Sequence, residues 1–255
     1  MQLDIDAYLE RIGYAGEREP SASALAALQR QHLYQVPFEN LDIHFGRRIV
    51  LDLEALFDKV VRRRRGGFCY ELNGLFAALL RALGYDVTLL SAQVFGDDGA
   101  LGPEHDHLAL AVRCEGRWLV DVGFGEAFLE PLSLMDLASA EPQVQGRAAH
   151  QLRLDGDRVV YAARDGEGRY RDQYVFMDKP RALSEFDEMC AYQQDSPESV
   201  FTQKRLCTRA LPPDGQMTLR DRVLITTTDG ERVERPIADV HAWHEALRVH
   251  FDIVL

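Results

Sequence analysis

Cysteine is scarce in this sequence. Four residues in 255, Cys69, Cys114, Cys190 and Cys207, stand far apart with no CxxC pair. That spacing supports neither a zinc site nor a disulfide framework, so each thiol is either a small buried hydrophobe or a nucleophile. No run of eighteen or more apolar residues occurs, which excludes a membrane-spanning helix. The N-terminus carries Asp4 and Asp6 and lacks the basic-then-apolar pattern of a secretory signal, so a cytoplasmic location is expected. Basic residues are in the minority, with 29 Lys and Arg against 41 Asp and Glu, a formal net charge of −12. Such a chain repels phosphate backbones, which argues against a nucleic-acid partner. The one basic cluster is Arg62–Arg65, and Arg62 to Arg64 read as a solvated helix face.

What is present is an ordinary globular composition, 46% hydrophobic and 27% charged, long enough for one large domain or two to three small ones. Ile5, Tyr8, Leu9 and Ile12 recur at helical spacing and stop at Gly13. A second helix is predicted from about Pro20–Ser21 to Val36, where Pro37 forbids its continuation. Leu53 to Val61 is a third. A fourth runs from about Phe68 to Leu83 and places Leu72, Phe76, Leu79, Leu80 and Leu83 on one stripe, with Cys69 in its first turn. After Gly84 the period changes to two. Val87–Phe95, His107–Arg113, Arg117–Val122, Gln151–Leu154, Arg158–Ala163 and Arg169–Tyr174 read as strands of an antiparallel barrel or sandwich. From Ser184 the pattern is mixed. Phe186–Tyr192 reads as helical, Met217–Thr227 and Arg232–Pro236 as a hairpin, and Asp239–Phe251 as an amphipathic helix.

The chemistry centres on Cys69. A thiol in the first helical turn faces unpaired backbone N–H groups and the positive end of the helix dipole, both of which favour thiolate. Gly66 and Gly67 let the chain turn before it. A buried structural cysteine is the alternative reading. A nucleophile needs a base, and the base an orienting acceptor. His105 and His107 flank a strand that a tight turn joins to Asp121. A three-residue loop, Cys114–Glu115–Gly116 with Gly116 left-handed, pairs Arg113 with Arg117, Val112 with Trp118, Leu110 with Val120 and Leu108 with Val122. All six apolar residues then share one face. His107, Ala109, Ala111, Leu119 and Asp121 share the other, with Asp121 diagonal to His107 at roughly 7–8 Å between backbones. His105 falls two residues further out and reads as a solvated loop histidine.

These residues resemble the arylamine N-acetyltransferase family. The stretch Arg65-Gly66-Gly67-Phe68-Cys69-Tyr70-Glu71-Leu72-Asn73 is similar to its nucleophile motif, and Val36-Pro37-Phe38-Glu39-Asn40-Leu41 to its upstream signature. His107-Leu108 and Asp121-Val122-Gly123-Phe124-Gly125 are similar to its histidine and aspartate motifs. Tyr8–Gly13 and Ser196–Phe201 fit its first helix and its third region. The resemblance implies an α+β fold with a cysteine-protease-like triad core. Its three regions would be an N-terminal helical bundle over 1–85, a central antiparallel β-barrel over 86–183 and a C-terminal α/β lid over 184–255. It further implies Cys69 as nucleophile, His107 as base and Asp121 as orienter. Phe38, Phe124 and Val94 would line the acceptor pocket, and Glu39 and Arg65 would form a supporting ion pair. Acetyl-CoA would be a co-substrate, with no metal and no permanently bound cofactor. The acceptor would be a small aromatic amine, hydrazine or N-hydroxyarylamine, acetylated by a ping-pong route. Against the family, the loop Gly96–Asp106 reads as short, and a chain ending at Leu255 is expected to lack the C-terminal extension that many members carry.

Three other readings keep the same residues. A family amide synthase would use a larger acyl thioester, and a transglutaminase- or protease-like enzyme would act on peptides without CoA. A binding module would have a structural Cys69.

Overall fold

The computed structural model describes residues 3–125 and 128–255. Met1 and Gln2, where the first expected region begins, lie outside the described residues. Helices span Ile5–Arg11, Ala22–Gln35, Leu41–His44, Leu53–Phe57, Cys69–Ala82, Asp187–Asp195, Val200–Gln203 and Val240–Phe251. Their boundaries follow local chemistry. Ser21 caps the second helix by accepting from the Ala24 N–H at 3.1 Å, and Val36 is extended ahead of Pro37. Asp239 caps the last helix in the same way, accepting from Ala242 N–H at 2.9 Å. The third expected helix keeps α geometry only to Phe57 and widens into a π turn over Asp58–Arg62.

Eight strands form a nearly closed antiparallel barrel. Their spatial order is Leu132–Ser133, Arg117–Val120, His107–Arg113, Asp86–Val94, Tyr170–Met177, Arg158–Arg164, Ala148–Asp155 and Gln143–Gln145. The two edge strands are stitched by a side chain. Gln143 Oε1 accepts from Ser133 N–H at 2.6 Å, and its Nε2 donates to the Ser133 carbonyl at 3.0 Å. That covers edge groups that would otherwise template association.

The hairpin over 107–120 has the expected register, Arg113 opposite Arg117, Val112 opposite Trp118 and Leu110 opposite Val120. Its left-handed residue is Glu115 (φ 52°), not Gly116. The loop closes through Cys114 N–H to the Gly116 carbonyl at 3.0 Å. The hairpin feeds two cores. Leu108, Leu110, Val112, Val120 and Val122 pack with the N-terminal helices, while Ala109, Ala111 and Leu119 fill the barrel.

A five-stranded sheet runs Phe38–Glu39, Leu206–Leu211, Gly215–Arg220, Val223–Thr228 and Glu231–Pro236. It packs with Val240–Phe251 around Trp243, Leu247 and Phe251. The expected arm Met217–Thr227 is two strands, because Asp221 takes a left-handed turn (φ 49°) and accepts from Arg205 N–H at 3.0 Å. The Phe38–Glu39 strand ties the helical N-terminal part to the C-terminal sheet, with Phe38 opposite Thr208. No described helix is long and apolar enough to cross a membrane.

Candidate active site

Cys69 is the first residue of the helix Cys69–Ala82, whose Leu72, Leu75, Phe76, Leu79 and Leu80 are fully buried. Burying each such side chain contributes about 1.5–3 kcal/mol, so the helix is a rigid mount. At its start, Glu71 accepts from the Phe68 N–H at 3.1 Å and satisfies one orphan donor. Gly66 and Gly67 are needed for close approach, not for a left-handed turn. A Cβ on Gly66 would lie 1.9 Å from the Pro37 carbonyl oxygen, and one on Gly67 2.7 Å from Glu71 Oε2. Gly123 is bound by the same rule, its Cβ position lying 2.8 Å from Cys69 Cα. The chain after Asp121 therefore passes directly against the thiol-bearing residue.

His107 opens its strand and Asp121 follows the last residue of the neighbouring one. His107 Nε2 lies 2.7 Å from Asp121 Oδ2, and both residues are buried. Four donors meet the Asp121 carboxylate. Oδ2 accepts from His107 and from the Tyr174 hydroxyl at 3.1 Å, and Oδ1 from Asn73 Nδ2 at 2.8 Å and Gly123 N–H at 2.9 Å. A carboxylate so surrounded can be buried without an unpaired lone pair. Asn73 also donates to the Leu108 carbonyl at 2.7 Å and accepts from Val122 N–H at 2.9 Å. One amide thus fixes the nucleophile helix to the residue after His107 and to the residue after Asp121.

Burial pushes the Cys69 thiol well above its ordinary value, and the Asp106 and Asp121 carboxylates add to this. A backbone hydrogen bond from Leu108 opposes them. In so dry a site the thiolate needs a cation beside it, and the Leu108 contact places the sulfur at the His107 end of the strand. Cys114, Cys190 and Cys207 are also free thiols, and burial raises each of them.

Arg65 departs from its exposed neighbours. It is 2% exposed and donates to Glu39 Oε1 at 2.7 and 3.0 Å. The pair belongs to a larger buried cluster. Arg65 also lies 3.1 Å from Asp42, and Lys59 lies 2.9 Å from Asp42 and 2.8 Å from Glu71. Burial pushes the Glu71 carboxyl up to about 7, opposed by Lys59 and assisted by Glu39.

The Phe124 ring stands 5.1 Å from both the His107 and Tyr174 rings. Val94 is opposite Tyr174 in the barrel register. Phe38 lines a cleft of about 270 Å³ together with Val122, Gly125 and Thr208. Phe124 and Val94 stay on the barrel side. His105 is not a solvated loop histidine. It is left-handed (φ 64°), packs its ring on Phe186 at 5.1 Å, and its Nε2 is buried with no partner among the described residues.

Asn73, Tyr174, Lys59 and Asp42 were not singled out from the sequence. Asn73 had a usable signal, since a polar residue four after Cys69 falls on the same helix face inside an apolar helix. Tyr174 and Lys59 gave none, because their partners are distant in sequence.

A thiol at a helix start, tied through Asn73 and Leu108 to a buried imidazole–carboxylate pair, is an arrangement that cysteine-dependent acyl-transfer or hydrolytic chemistry could use. The match to known proteins resolves this class. The N-acetyltransferase family model matches residues 21–255. Human arylamine N-acetyltransferase 1 is 34% identical over 229 residues, 82% of this chain and 79% of its own. Proansamycin X synthase of Amycolatopsis mediterranei is 34% identical over 251 residues, 93% of this chain and 92% of its own. The crystal structure of the Nocardia farcinica arylamine N-acetyltransferase superposes with a TM-score of 0.90 at 35% identity, covering 100% of this chain and 90% of that one. The Mycobacterium marinum enzyme in complex with CoA gives 0.90 at 31%, covering 98% and 93%. The chain belongs to the arylamine N-acetyltransferase family and is an acyltransferase.

Proposed function

We propose that the protein transfers an acetyl group from acetyl-CoA to an arylamine, arylhydrazine or N-hydroxyarylamine through an acetyl-Cys69 intermediate. The observation that carries the reading is the buried 2.7 Å contact of His107 Nε2 with Asp121 Oδ2, beside the thiol-bearing helix start. That contact commits Nε2 to the carboxylate and leaves Nδ1 for the thiol proton. Cys69 gives its proton to His107, and the thiolate attacks the acetyl carbonyl. Unpaired backbone N–H groups of the first helical turn, that of Cys69 included, hold the oxyanion. The C–S bond to CoA breaks, and CoA leaves with the proton. The amine then attacks the acetyl-Cys69 carbonyl, His107 accepts the amine proton, and the thiol is regenerated. Attacking and leaving groups are both thiols, so the exchange needs no metal. Phe38, Phe124 and Val94 border the acceptor, and the Glu39–Arg65 pair anchors the segment before Cys69.

The M. marinum relative solved with CoA supports the donor. The near full-length match to proansamycin X synthase favours a second reading, a family amide synthase with a larger acyl thioester as donor. Steady-state assays with aniline as acceptor test both. Acetylation abolished by Cys69→Ala and fastest with acetyl-CoA supports the first. A preference for long acyl thioesters selects the second, and retained acetylation in Cys69→Ala refutes both.

A further inference from the structure

The chain reaches His107 through a strained turn. His105 is left-handed (φ 64°), a conformation that costs a residue with a side chain and persists only where its neighbours fix it. Here side chains from two other elements hold both of its backbone polar groups. Its N–H donates to Ser91 Oγ at 2.9 Å, on the strand Asp86–Val94. Its carbonyl accepts from the Tyr70 hydroxyl at 2.8 Å, and the same hydroxyl reaches the Asp106 carbonyl at 3.0 Å. The His105 ring is covered by Phe186, whose ring also lies 5.7 Å from that of Tyr70. Asp106 is held at its side chain as well, where Oδ1 accepts from Gln193 Nε2 at 2.8 Å.

Tyr70 follows Cys69 in the first turn of the helix Cys69–Ala82 and is fully buried. Burial pushes its hydroxyl up, so it stays a donor at physiological pH. One hydroxyl therefore joins the thiol-bearing helix to the two residues that immediately precede His107. Asn73 makes the matching link on the far side, to the Leu108 carbonyl. The same helix thus grips the imidazole's strand both before and after His107. The Cys69 thiol is a further hydrogen-bond partner of the Tyr70 hydroxyl, so a test must separate the two contacts.

We propose that Tyr70 is a positioning residue whose hydroxyl, together with Ser91, fixes the left-handed turn at His105 and so sets where His107 Nδ1 meets the Cys69 thiol. This rests on the mechanism proposed above. A side chain that acts through His107 touches both half-reactions, because His107 takes the thiol proton in the first and the amine proton in the second. A contact with the acceptor would act on the second alone, and a contact with CoA on the first alone.

The test measures kcat/KM for acetyl-CoA, kcat/KM for aniline, and the rate of Cys69 alkylation by iodoacetamide at pH 6. The proteins are wild type, Tyr70→Phe, Ser91→Ala and Ser91→Thr. Tyr70→Phe removes one oxygen and keeps the ring against Phe186. It lowers both kcat/KM values by the same factor, about tenfold, and slows alkylation to match. Ser91→Ala, which acts through the His105 N–H and not on the thiol, lowers all three about threefold. Ser91→Thr returns the hydroxyl and restores them, its added methyl having room in a cleft of about 160 Å³ that Ser91 borders. A Ser91→Ala protein equal to wild type beside a slowed Tyr70→Phe puts the hydroxyl on the thiol itself and overturns the proposal. So does loss confined to one substrate, or a Tyr70→Phe protein within twofold of wild type in all three readouts. Alkylation needs no acyl donor. A wild type whose Cys69 alkylates rapidly at pH 6 but acetylates no amine overturns the acetyl-transfer reading, and the alkylation rates still decide the role of Tyr70.

Discussion

Removing the Asn73 amide tests whether one side chain sets the geometry of the whole site. Asn73→Ala deletes three buried hydrogen bonds, to the Leu108 carbonyl, the Asp121 carboxylate and the Val122 N–H. Two neutral backbone groups and one carboxylate oxygen each lose a partner where no solvent reaches, since Asn73 is 0% exposed. At about 1–3 kcal/mol per unpaired group, the loss of stability is about 3–9 kcal/mol. That is a large share of the ~5–15 kcal/mol typical of a native protein. For a chain of this size it lowers Tm by at least about 6 °C. Catalysis falls as well, because Asp121 is free to turn away from His107. A loss of about a hundredfold in kcat/KM corresponds to ~3 kcal/mol of transition-state stabilisation. Asn73→Asp places a second carboxylate where an amide now donates at 2.8 Å, and loses at least as much. Calorimetry paired with a thiol-release assay for CoA reads both quantities. A Tm within ~3 °C of wild type together with kcat/KM within threefold would refute the assignment of Asn73 as the clamp.

Four further outcomes follow from the same geometry. Asp121→Asn keeps the shape but turns an amide NH2 onto two of the four donors that the carboxylate accepts from, so it lowers kcat by about 10³–10⁴-fold and lowers Tm as well; a loss of kcat under tenfold contradicts the role. Gly66→Ala drives a Cβ to within 1.9 Å of the Pro37 carbonyl, so its Tm falls by at least ~5 °C even though alanine favours helix elsewhere; an unchanged Tm contradicts it. The Glu71 carboxyl is raised from 4.5 to about 7, so the protonated form is the one the fold favours. Its contribution to stability is fully present below pH 4.5 and lost as pH rises through about 7. The stability difference between wild type and Glu71→Gln therefore shifts by about 3 kcal/mol across that window, read by urea denaturation at each pH, and a flat difference contradicts the assignment. Iodoacetamide labels Cys69 at pH 6 in wild type but not in His107→Ala if the thiolate exists as one half of an ion pair; equal labelling in both means burial alone governs the thiol.

The features legible in the sequence were those written at short range. The hairpin register followed from a three-residue loop and six alternating apolar residues, and it placed His107 and Asp121 on one face. Helix starts at Ser21 and Asp239 were legible because caps are local. Arg65 separated from Arg62–Arg64 only through the family resemblance. Illegible were contacts that close over long distances. Tyr174 meets Asp121 across 53 positions, and Lys59 meets Asp42 and Glu71 from a π turn that no periodicity announces. The left-handed residue of the hairpin loop was misplaced because glycine is the default for that conformation and Glu115 takes it instead. His105 was misread because solvation of a loop depends on what packs over it, here Phe186 from a segment 81 residues further on.

The central claim is a covalent acetyl-Cys69. Incubating the protein with acetyl-CoA, without any acceptor, and reading its intact mass with peptide mapping tests it most directly. The account predicts one acetyl group on Cys69, discharged when an arylamine is added. An unmodified Cys69 whose thiol remains alkylatable, alongside undiminished amine acetylation in the same preparation, would contradict it.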